Sequence, residues 1–525
     1  MRRLTIFVPL LAACATTARQ SDAPLSIPPA VVTAPDPAPR AWGPAGDGLA
    51  AADTLPQLDI RPTPEPEAVA RIVREGTTNS HAAADLQYLT DVIGPRLTGT
   101  PAMRRANDWT AERFRAYGMD SVWLEPWPFG RAWERGPMTL TLVAPHRRQL
   151  VGYSWAWAPG TNGPVTGDVV YVDAKTEADF TRRFAGTLAG KWVMTSPPQP
   201  VPNPDGPPLT AADSARVRAA IRELYAPPTD SAELAFRQRR LSLIAREPIA
   251  GLLRDGAKEF GLVTMSGSPE SIYPMPFLVV SHEDYAQFHR VLALGERVAL
   301  QADVRNTFSS QPVTAYNTVA EIRGSTNPDE IVLLGAHLDS WDIATGATDN
   351  ATGSIAVLEA ARILKASGVR PRRTIRFALF SGEEQGLYGS ERYAAAHAGE
   401  LPKYQAVLVL DNGTGRITGM SLQGRAELHD AWTSLLQPVS ALGPFLVQAR
   451  NKGGTDHLPF LPYGVPAFNF DQLSRGYDHT HHSQVDTFDH AVTEDVAQAA
   501  TVMAATAYQL ANLPVLLPRG QRRAN

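Results

Sequence analysis

Residues 331–339 read IVLLGAHLD, a run of apolar and small residues that ends in a histidine and an aspartate. Two similar stretches follow along the chain, TIRFALFSGEE at 374–384 and AVLVLD at 406–411. Apolar runs of this length, separated by helical stretches such as 350–366 and 387–398, are typical of buried parallel strands. We therefore expect an α/β fold in which a mostly parallel mixed sheet is covered by helices on both faces.

Side chains that can bind a metal ion follow each of these three strands. A histidine-rich loop, DHTHHSQVDT at 478–487, supplies more candidates. Because ligands of parallel sheets collect beyond the carboxyl ends of the strands, we expect these side chains to meet at one edge. Imidazoles and carboxylates in this mixture suit zinc, and several carboxylates suit two ions with a shared ligand. The candidates near the strands are His337, Asp339, Asp349, Glu383, Glu384 and Asp411.

Each candidate also has an ordinary structural explanation when it is considered alone. An aspartate at the start of a helix, such as Asp349, is commonly an N-cap. A histidine after a strand is usually a satisfied polar residue, and a pair of glutamates is usually a solvated turn. Their joint occurrence at the ends of neighbouring strands favours the metal site.

The sequence around these residues resembles a known family. The match lies in successive motifs, and it extends over most of the chain after about residue 67. The family is the co-catalytic dizinc exopeptidases, which includes bacterial leucyl aminopeptidases, glutamate carboxypeptidase and carboxypeptidase Q. The motifs are GAHLDSW at 335–341, GATDNATG at 346–353, SGEEQG at 381–386, LDNG at 410–413 and HSQVDT at 482–487.

This resemblance implies two zinc ions per chain, in a zinc exopeptidase fold. Asp349 would bridge the two ions. His337 and Asp411 would complete one site, and Glu384 and His482 would complete the other.

The resemblance also implies catalytic roles. Glu383 would be the general base that takes a proton from water and passes it to the leaving amine. Asp339 would accept a hydrogen bond from the His337 imidazole and so orient it, and Asp486 would do the same near His482. Many relatives carry a second aspartate where this chain has Thr348, which should not affect the metal ligands.

Two points stay open at the level of sequence. His479 and His481 compete with His482 as the ligand, and only the spacing to the following Asp-Thr favours His482. The segment GGTDH at 453–457 resembles a family segment near the substrate pocket, but its aspartate and histidine also fit a structural role.

The middle of the chain has a different pattern of predicted secondary structure. Residues 152–306 contain short β-rich runs and a charged, alanine-rich stretch at 210–247 that is predicted to be helical. Because strand–helix alternation resumes after it, we expect an inserted β-rich domain, which more weakly resembles a protease-associated insert. Residues 67–151 and 307–515 would then form the zinc peptidase catalytic domain.

The amino terminus is typical of an exported protein. Residues 1–14 have a charged start, a short apolar run and a lipobox-like LAAC, so we expect a lipoprotein signal peptide with a lipid anchor at Cys14. A cleaved soluble signal is the alternative. Residues 15–66 are rich in proline and alanine and are expected to be a disordered tether. The predicted location is the cell envelope, on the periplasmic side as an outer-membrane lipoprotein, or the medium as a secreted protein.

Composition excludes several classes of function. The 525 residues carry 49 basic and 53 acidic side chains, a net charge of −4, which argues against a nucleic-acid partner. A single cysteine excludes internal disulfides, cysteine-based zinc fingers and cysteine-ligated iron–sulfur clusters. No heptad or repeat signal predicts an oligomeric state.

The expected function is zinc-dependent hydrolysis of small peptides by an exopeptidase, either an aminopeptidase or a carboxypeptidase Q-like dipeptidase. Two alternatives share the scaffold. A glutaminyl cyclase would use one catalytic zinc, and a non-catalytic receptor-like homologue would lack the metals. Candidates at all five ligand positions and at Glu383 favour the peptidase.

Overall fold

Two eight-stranded sheets organise the residues that the computed structural model describes, namely 60, 65–200 and 230–520. The strands are β1 Ser121–Glu134, β2 Met138–Ala144, β3 Arg148–Gln149, β4 Gly152–Ser154, β5 Val165–Tyr171, β6 Trp192–Met194, β7 Gly251–Asp255, β8 Phe277–Val280, β9 Ala299–Val304, β10 Thr307–Ile322, β11 Asn327–His337, β12 Arg373–Phe380, β13 Tyr404–Val409, β14 Ile417–Ser421, β15 Leu446–Gln448 and β16 Ala467–Gln472. The α-helices are α1 Pro66–Thr78, α2 Ala82–Gln87, α3 Pro101–Ala116, α4 Glu177–Arg183, α5 Ser231–Ile244, α6 His282–Ala293, α7 Thr352–Ala366, α8 Tyr388–Ala396, α9 His429–Leu436, α10 Tyr477–Thr480 and α11 Thr493–Ala511.

The first sheet has the strand order β1-β10-β12-β11-β13-β16-β14-β15. Its four central strands, β12, β11, β13 and β16, run parallel, and β1, β10 and β14 add antiparallel pairs toward the edges. His337 pairs with Phe380, and Gly335 pairs with Val409, so the central strands end level with one another. This mixed α/β sheet confirms the predicted fold class.

Helices cover both faces of the first sheet. Along β11, Val332 and Leu334 point into a core that contains residues of α1, α2, α3, α7 and α11. Ile331 and Leu333 point to the opposite face, where Tyr393 of α8 packs. Strands buried on both faces explain the continuous apolar runs in the sequence. Among the described helices, none is both long and apolar enough to span a membrane.

The second sheet has the order β3-β2-β9-β5-β6-β7-β8-β4. It begins at Met138, earlier than the boundary expected at residue 152, because β2 pairs antiparallel with β9 and Met138 lies opposite Val304. Both sheets lie within one compact unit, so the inserted domain stays a prediction.

Several predicted segments fall wholly or partly outside the described residues. The signal peptide and Cys14 lie outside them, as does nearly all of the tether, and α1 begins at Pro66. Of the helical stretch predicted at 210–247, residues 210–229 also lie outside, and α5 covers Ser231–Ile244.

A tryptophan-rich core joins the two sheets. Trp127 of β1 packs in the same cluster as Val193 and Leu252 of the second sheet. Trp133 donates from its indole nitrogen to the Ala158 carbonyl oxygen at 2.8 Å. Trp341, which follows β11, belongs to this cluster as well. The second sheet is therefore packed directly beside the strand ends that carry the candidate ligands.

Candidate metal centre

His337 is the last residue of β11 and is almost fully buried. Its Nδ1 lies 3.1 Å from the Asp339 carbonyl oxygen, which can only accept, so Nδ1 carries the hydrogen and Nε2 is left as a ligand. Nε2 lies 3.3 Å from Asp349 Oδ1 and 3.6 Å from Asp411 Oδ1. The ends of two parallel strands and the turn before α7 thus place three ligand atoms together.

Asp349 lies between two groups of ligands. It is in the turn Ala347–Ala351 before α7, and its backbone N–H donates to Asp486 Oδ2 at 3.1 Å. Oδ1 faces His337, and Oδ2 lies 3.5 Å from His482 Nε2. One carboxylate therefore offers an oxygen to each group.

The second group contains Glu384 and His482. His482 Nε2 lies 2.9 Å from Glu384 Oε2, whereas His481 Nε2 is 3.9 Å from Asp349 Oδ2. The side chain of His481 is 45% exposed and that of His482 is 23% exposed. His479 instead packs near Phe260. The structure thus brings His481 and His482 to the centre, and His482 is the better placed.

The buried polar atoms of these residues test whether a metal fits. His337 Nε2, Asp349 Oδ2 and both carboxylate oxygens of Glu384 have no hydrogen-bond partner. Burying such groups without partners is costly, and a cation among them removes that cost. Burial and the Asp349 charge raise the pKa of Glu384, because both disfavour a further negative charge at this position. Two ligand groups, His337–Asp349–Asp411 and Asp349–His481–His482, share Asp349 and fit a metal centre.

Asp339 holds the loop that carries the two glutamates. Its carboxylate accepts the backbone N–H groups of Glu383 and Glu384, each at 3.3 Å. Thr98 donates to the same carboxylate at 3.0 Å and accepts from the Gly382 N–H at 2.9 Å. The expected bond from the His337 imidazole goes to the Asp339 carbonyl, while the nearest carboxylate oxygen is 3.7 Å away. Asp339 therefore orients His337 through its backbone and positions Glu383 through its side chain.

The sequence predicted that Asp486 orients His482, but the Asp486 carboxylate accepts hydrogen bonds from Thr348 and Asp349 instead. Its Oδ1 accepts from the Thr348 N–H at 2.6 Å and from the Thr348 hydroxyl at 2.8 Å, and its Oδ2 accepts from Asp349. Burial, with the Asp349 charge, raises the pKa of Asp486 to about 7. Thr348 also contacts the Thr480 hydroxyl at 2.7 Å. Thr348, which departs from the family pattern, thus helps to hold the turn that carries Asp349.

Sequence reasoning missed two residues of the turn after the π-helix Tyr88–Ile93, namely Arg96 and Thr98. The Arg96 guanidinium is fully buried and donates to the Leu338 carbonyl at 2.8 Å and the Gly346 carbonyl at 2.8 Å. It therefore ties the segment after His337 to the turn before Asp349. The only local signal was a polar turn, RLTGTP, between two helices.

The segment at 453–457 is buried and lies close to the centre. Ser390 donates to Asp456 at 2.5 Å, and both Asp456 and His457 are inaccessible to solvent. Burial raises the pKa of Asp456 to about 7, and the charges of Asp339 and Asp411 act in the same direction. Ser390 belongs to α8, so the segment braces the helix that follows the glutamate loop.

A loop of the second sheet contacts the histidine loop. We name residues 256–265 the rim loop. The Met265 N–H donates to the His482 carbonyl oxygen at 2.8 Å, and the Val263 N–H donates to Gln484 Oε1 at 3.0 Å. Gln484 Nε2 in turn donates to the Gly261 carbonyl at 2.9 Å. The backbone of a candidate ligand is therefore held by the second sheet.

Comparison with known proteins shows what the chain is similar to. Residues 317–507 match the profile of peptidase family M28. Carboxypeptidase Q of Bos taurus is 29% identical over 460 residues, which cover 86% of this chain and 90% of that protein. An aminopeptidase of Bacillus subtilis is 23% identical over 474 residues, 87% of this chain and 90% of that protein.

A solved structure, described as a peptidase M28 precursor from Shewanella amazonensis SB2B, superimposes with a TM-score of 0.68 at 26% identity. The superposition covers 87% of this chain and 99% of the Shewanella chain. The resemblance indicated by the sequence motifs is confirmed. Residues 317–507 therefore match peptidase family M28, and the chain is a metallopeptidase that is similar over most of its length to carboxypeptidase Q and to a bacterial aminopeptidase.

Proposed function

We propose that the protein is a zinc exopeptidase that holds two zinc ions and hydrolyses the terminal peptide bond of small peptides. One observation carries the proposal. Asp349 directs one oxygen at His337 and the other at His482, so two ligand groups share a single carboxylate.

The donor set supports zinc as the metal. His337 and Asp411 would hold one ion, Glu384 and His482 the other, and Asp349 both. Imidazole nitrogen and carboxylate oxygen are common zinc ligands. When bound, two zinc ions act as Lewis acids that polarise the scissile carbonyl and stabilise the charge that develops on oxygen.

Glu383 is the proposed general base. Its backbone N–H is fixed by Asp339, and burial, with the charges of Asp411 and Asp456, raises its pKa, which favours proton uptake. The Glu383 carboxylate accepts a proton from the attacking water as the water oxygen bonds to the carbonyl carbon. It then delivers that proton to the amine nitrogen as the carbon–nitrogen bond breaks.

The site of action is a further part of the proposal. The apolar run and LAAC motif at residues 1–14 support export, with anchoring through a lipid on Cys14. Small peptides outside the cytoplasm would then be the substrates.

A mixture of peptides with free, N-acetylated and C-amidated ends tests the proposed function. We expect the purified protein to trim peptides with zinc and not with chelator, as read by mass spectrometry. The matched variant Glu383→Gln should keep its zinc and lose about 10²–10⁴-fold in rate, because it cannot accept the proton.

Cleavage that persists in chelator would contradict the proposal, as would full activity of Glu383→Gln. Conversion of amino-terminal glutamine without any peptide cleavage would indicate a glutaminyl cyclase. No turnover with zinc bound would indicate a non-catalytic homologue.

A further inference from the structure

The second sheet contributes a cation to the edge of the metal centre. Lys258 lies in the rim loop, and its Nζ donates to the carbonyl oxygen of Asp478 in α10. Asp478 precedes His482 by four residues. Because hydrogen bonds from Met265 and to Gln484 fix the rim loop to the histidine loop, Lys258 is held beside the ligands.

Lys258 lies close to two aspartates. Burial lowers the pKa of Lys258, and the charges of Asp478 and Asp349 oppose that shift. The ammonium therefore lies within electrostatic reach of the central carboxylate.

Two other cations near the centre are already engaged. Arg96 is buried and donates to several backbone carbonyls, including those of Leu338 and Gly346. Lys452 donates to the Phe470 carbonyl at 3.1 Å and lies 3.6 Å from Asp471. Lys258 differs because its side chain is only partly buried and, among the residues that the structure describes, donates to the carbonyl of Asp478 alone, with no carboxylate as hydrogen-bond acceptor. A carboxylate is a stronger acceptor for an ammonium than a carbonyl is.

The rim loop also carries an exposed aromatic ring. Phe260 is 66% exposed, and its ring lies 6.5 Å from that of His479. A cation and an exposed aromatic ring in one loop suit the last residue of a peptide, which carries a carboxylate and a side chain.

We propose that Lys258 binds the free C-terminal carboxylate of the peptide substrate and so makes the protein select peptides by their carboxyl end. This inference rests on the proposed exopeptidase function and names the terminus that the same site recognises. It predicts a carboxypeptidase or dipeptidase and not an aminopeptidase that accepts blocked carboxyl ends.

Steady-state kinetics on leucyl-alanine and leucyl-alanine amide test this role. The wild-type protein should have a KM about tenfold or more lower for the free acid. Lys258→Met should remove the difference in KM between the acid and the amide, and Lys258→Arg should restore part of that difference. Lys191→Met is the matched control, because Lys191 pairs with Asp168 at 2.7 Å elsewhere in the second sheet.

A comparison of the KM for leucyl-glutamate amide with that for leucyl-glutamine amide tests whether Lys258 binds a side-chain carboxylate instead of the terminal one. A Lys258-dependent preference for the glutamate amide alone would overturn the proposal in favour of an acidic side chain. An equal loss on acid and amide, with zinc content unchanged, would assign Lys258 a merely structural role.

Binding to zinc-loaded Glu383→Gln reads the carboxylate contact without turnover. Calorimetry should show weaker binding of leucyl-alanine after Lys258→Met and unchanged binding of its amide. Equal binding of acid and amide before the substitution would overturn the proposal. If the acid binds more tightly than the amide but the wild type cuts no peptide, the exopeptidase function would be contradicted. The carboxylate site would still be supported.

Discussion

At the scale of single residues, the centre depends on how Asp349 is held. Its N–H is bound by Asp486, which also accepts two hydrogen bonds from Thr348. A second aspartate at position 348 would set a carboxylate against that of Asp486, whereas the threonine hydroxyl donates to it. The departure from the family motif is therefore matched to its surroundings.

Separate substitutions of His481 and His482 test which of the two is the zinc ligand. His482→Ala should bind one zinc ion fewer per chain and lose peptide cleavage, because His482 Nε2 lies 2.9 Å from Glu384 and 3.5 Å from Asp349. His481→Ala should keep its zinc, since that side chain is more exposed and farther from Asp349. Metal content by mass spectrometry of the purified variants measures both. Loss of zinc in His481→Ala alone would reverse the assignment.

At the scale of elements, α8 anchors the glutamate loop to the edge strand. His397, at the carboxyl end of α8, lies with Nε2 3.0 Å from Glu125 of β1 and with Nδ1 3.1 Å from Glu400. Both carboxylates accept, so both ring nitrogens donate when the imidazole is protonated. Burial lowers the pKa of His397, but the hydrogen bond and charge of Glu125 outweigh it, and the pKa is raised.

This contact should make stability depend on pH. Because the pKa of His397 is raised in the folded state, this contact contributes fully to the free energy of unfolding below the unfolded-state histidine pKa of about 6.5. The contribution is lost as the pH rises through the pKa of His397 in the folded state. His397→Gln should therefore lower the free energy of unfolding by about 1 kcal/mol at pH 5.5 and by less at pH 9.

Urea unfolding at both pH values measures the difference. His429→Gln is the control, because its exposed contact with Asp430 at 3.2 Å should contribute little at either pH. A loss for His397→Gln that is equal at both pH values would show that packing and not charge is responsible.

At the scale of the whole molecule, two sheets converge on a buried cluster of acids. Asp339, Asp411 and Asp456 are all nearly inaccessible to solvent, and Asp349 is 4% exposed. Such a cluster is held together against mutual repulsion, and a bound cation offsets that repulsion. Metal binding should therefore couple to the stability of the whole fold.

Removal of zinc should destabilise the protein. At a free zinc concentration 100 times the dissociation constant, binding to the folded state adds about 2.7 kcal/mol to the free energy of unfolding. Thermal unfolding with chelator and with added zinc measures this shift. Asp349→Asn, which weakens the shared ligand, should show a much smaller zinc-induced shift. Identical unfolding of the wild type with and without zinc would contradict a metal centre built from these residues.

The sequence by itself determined the α/β sheet and the residues at its strand ends. Apolar runs such as 331–336 are readable because parallel strands are buried on both faces, and their carboxyl ends must lie at one edge. That rule alone brings His337 close to Asp411, and the family motifs added Asp349.

Only the tertiary structure decided which partners these residues take. His337 Nδ1 lies 3.1 Å from the Asp339 carbonyl oxygen and 3.7 Å from its carboxylate, and Asp486 accepts a hydrogen bond from the Asp349 N–H. The contact of the rim loop with His482 joins segments more than 200 residues apart. Local pattern carries no information about such contacts, because the packing of one sheet against the other creates them.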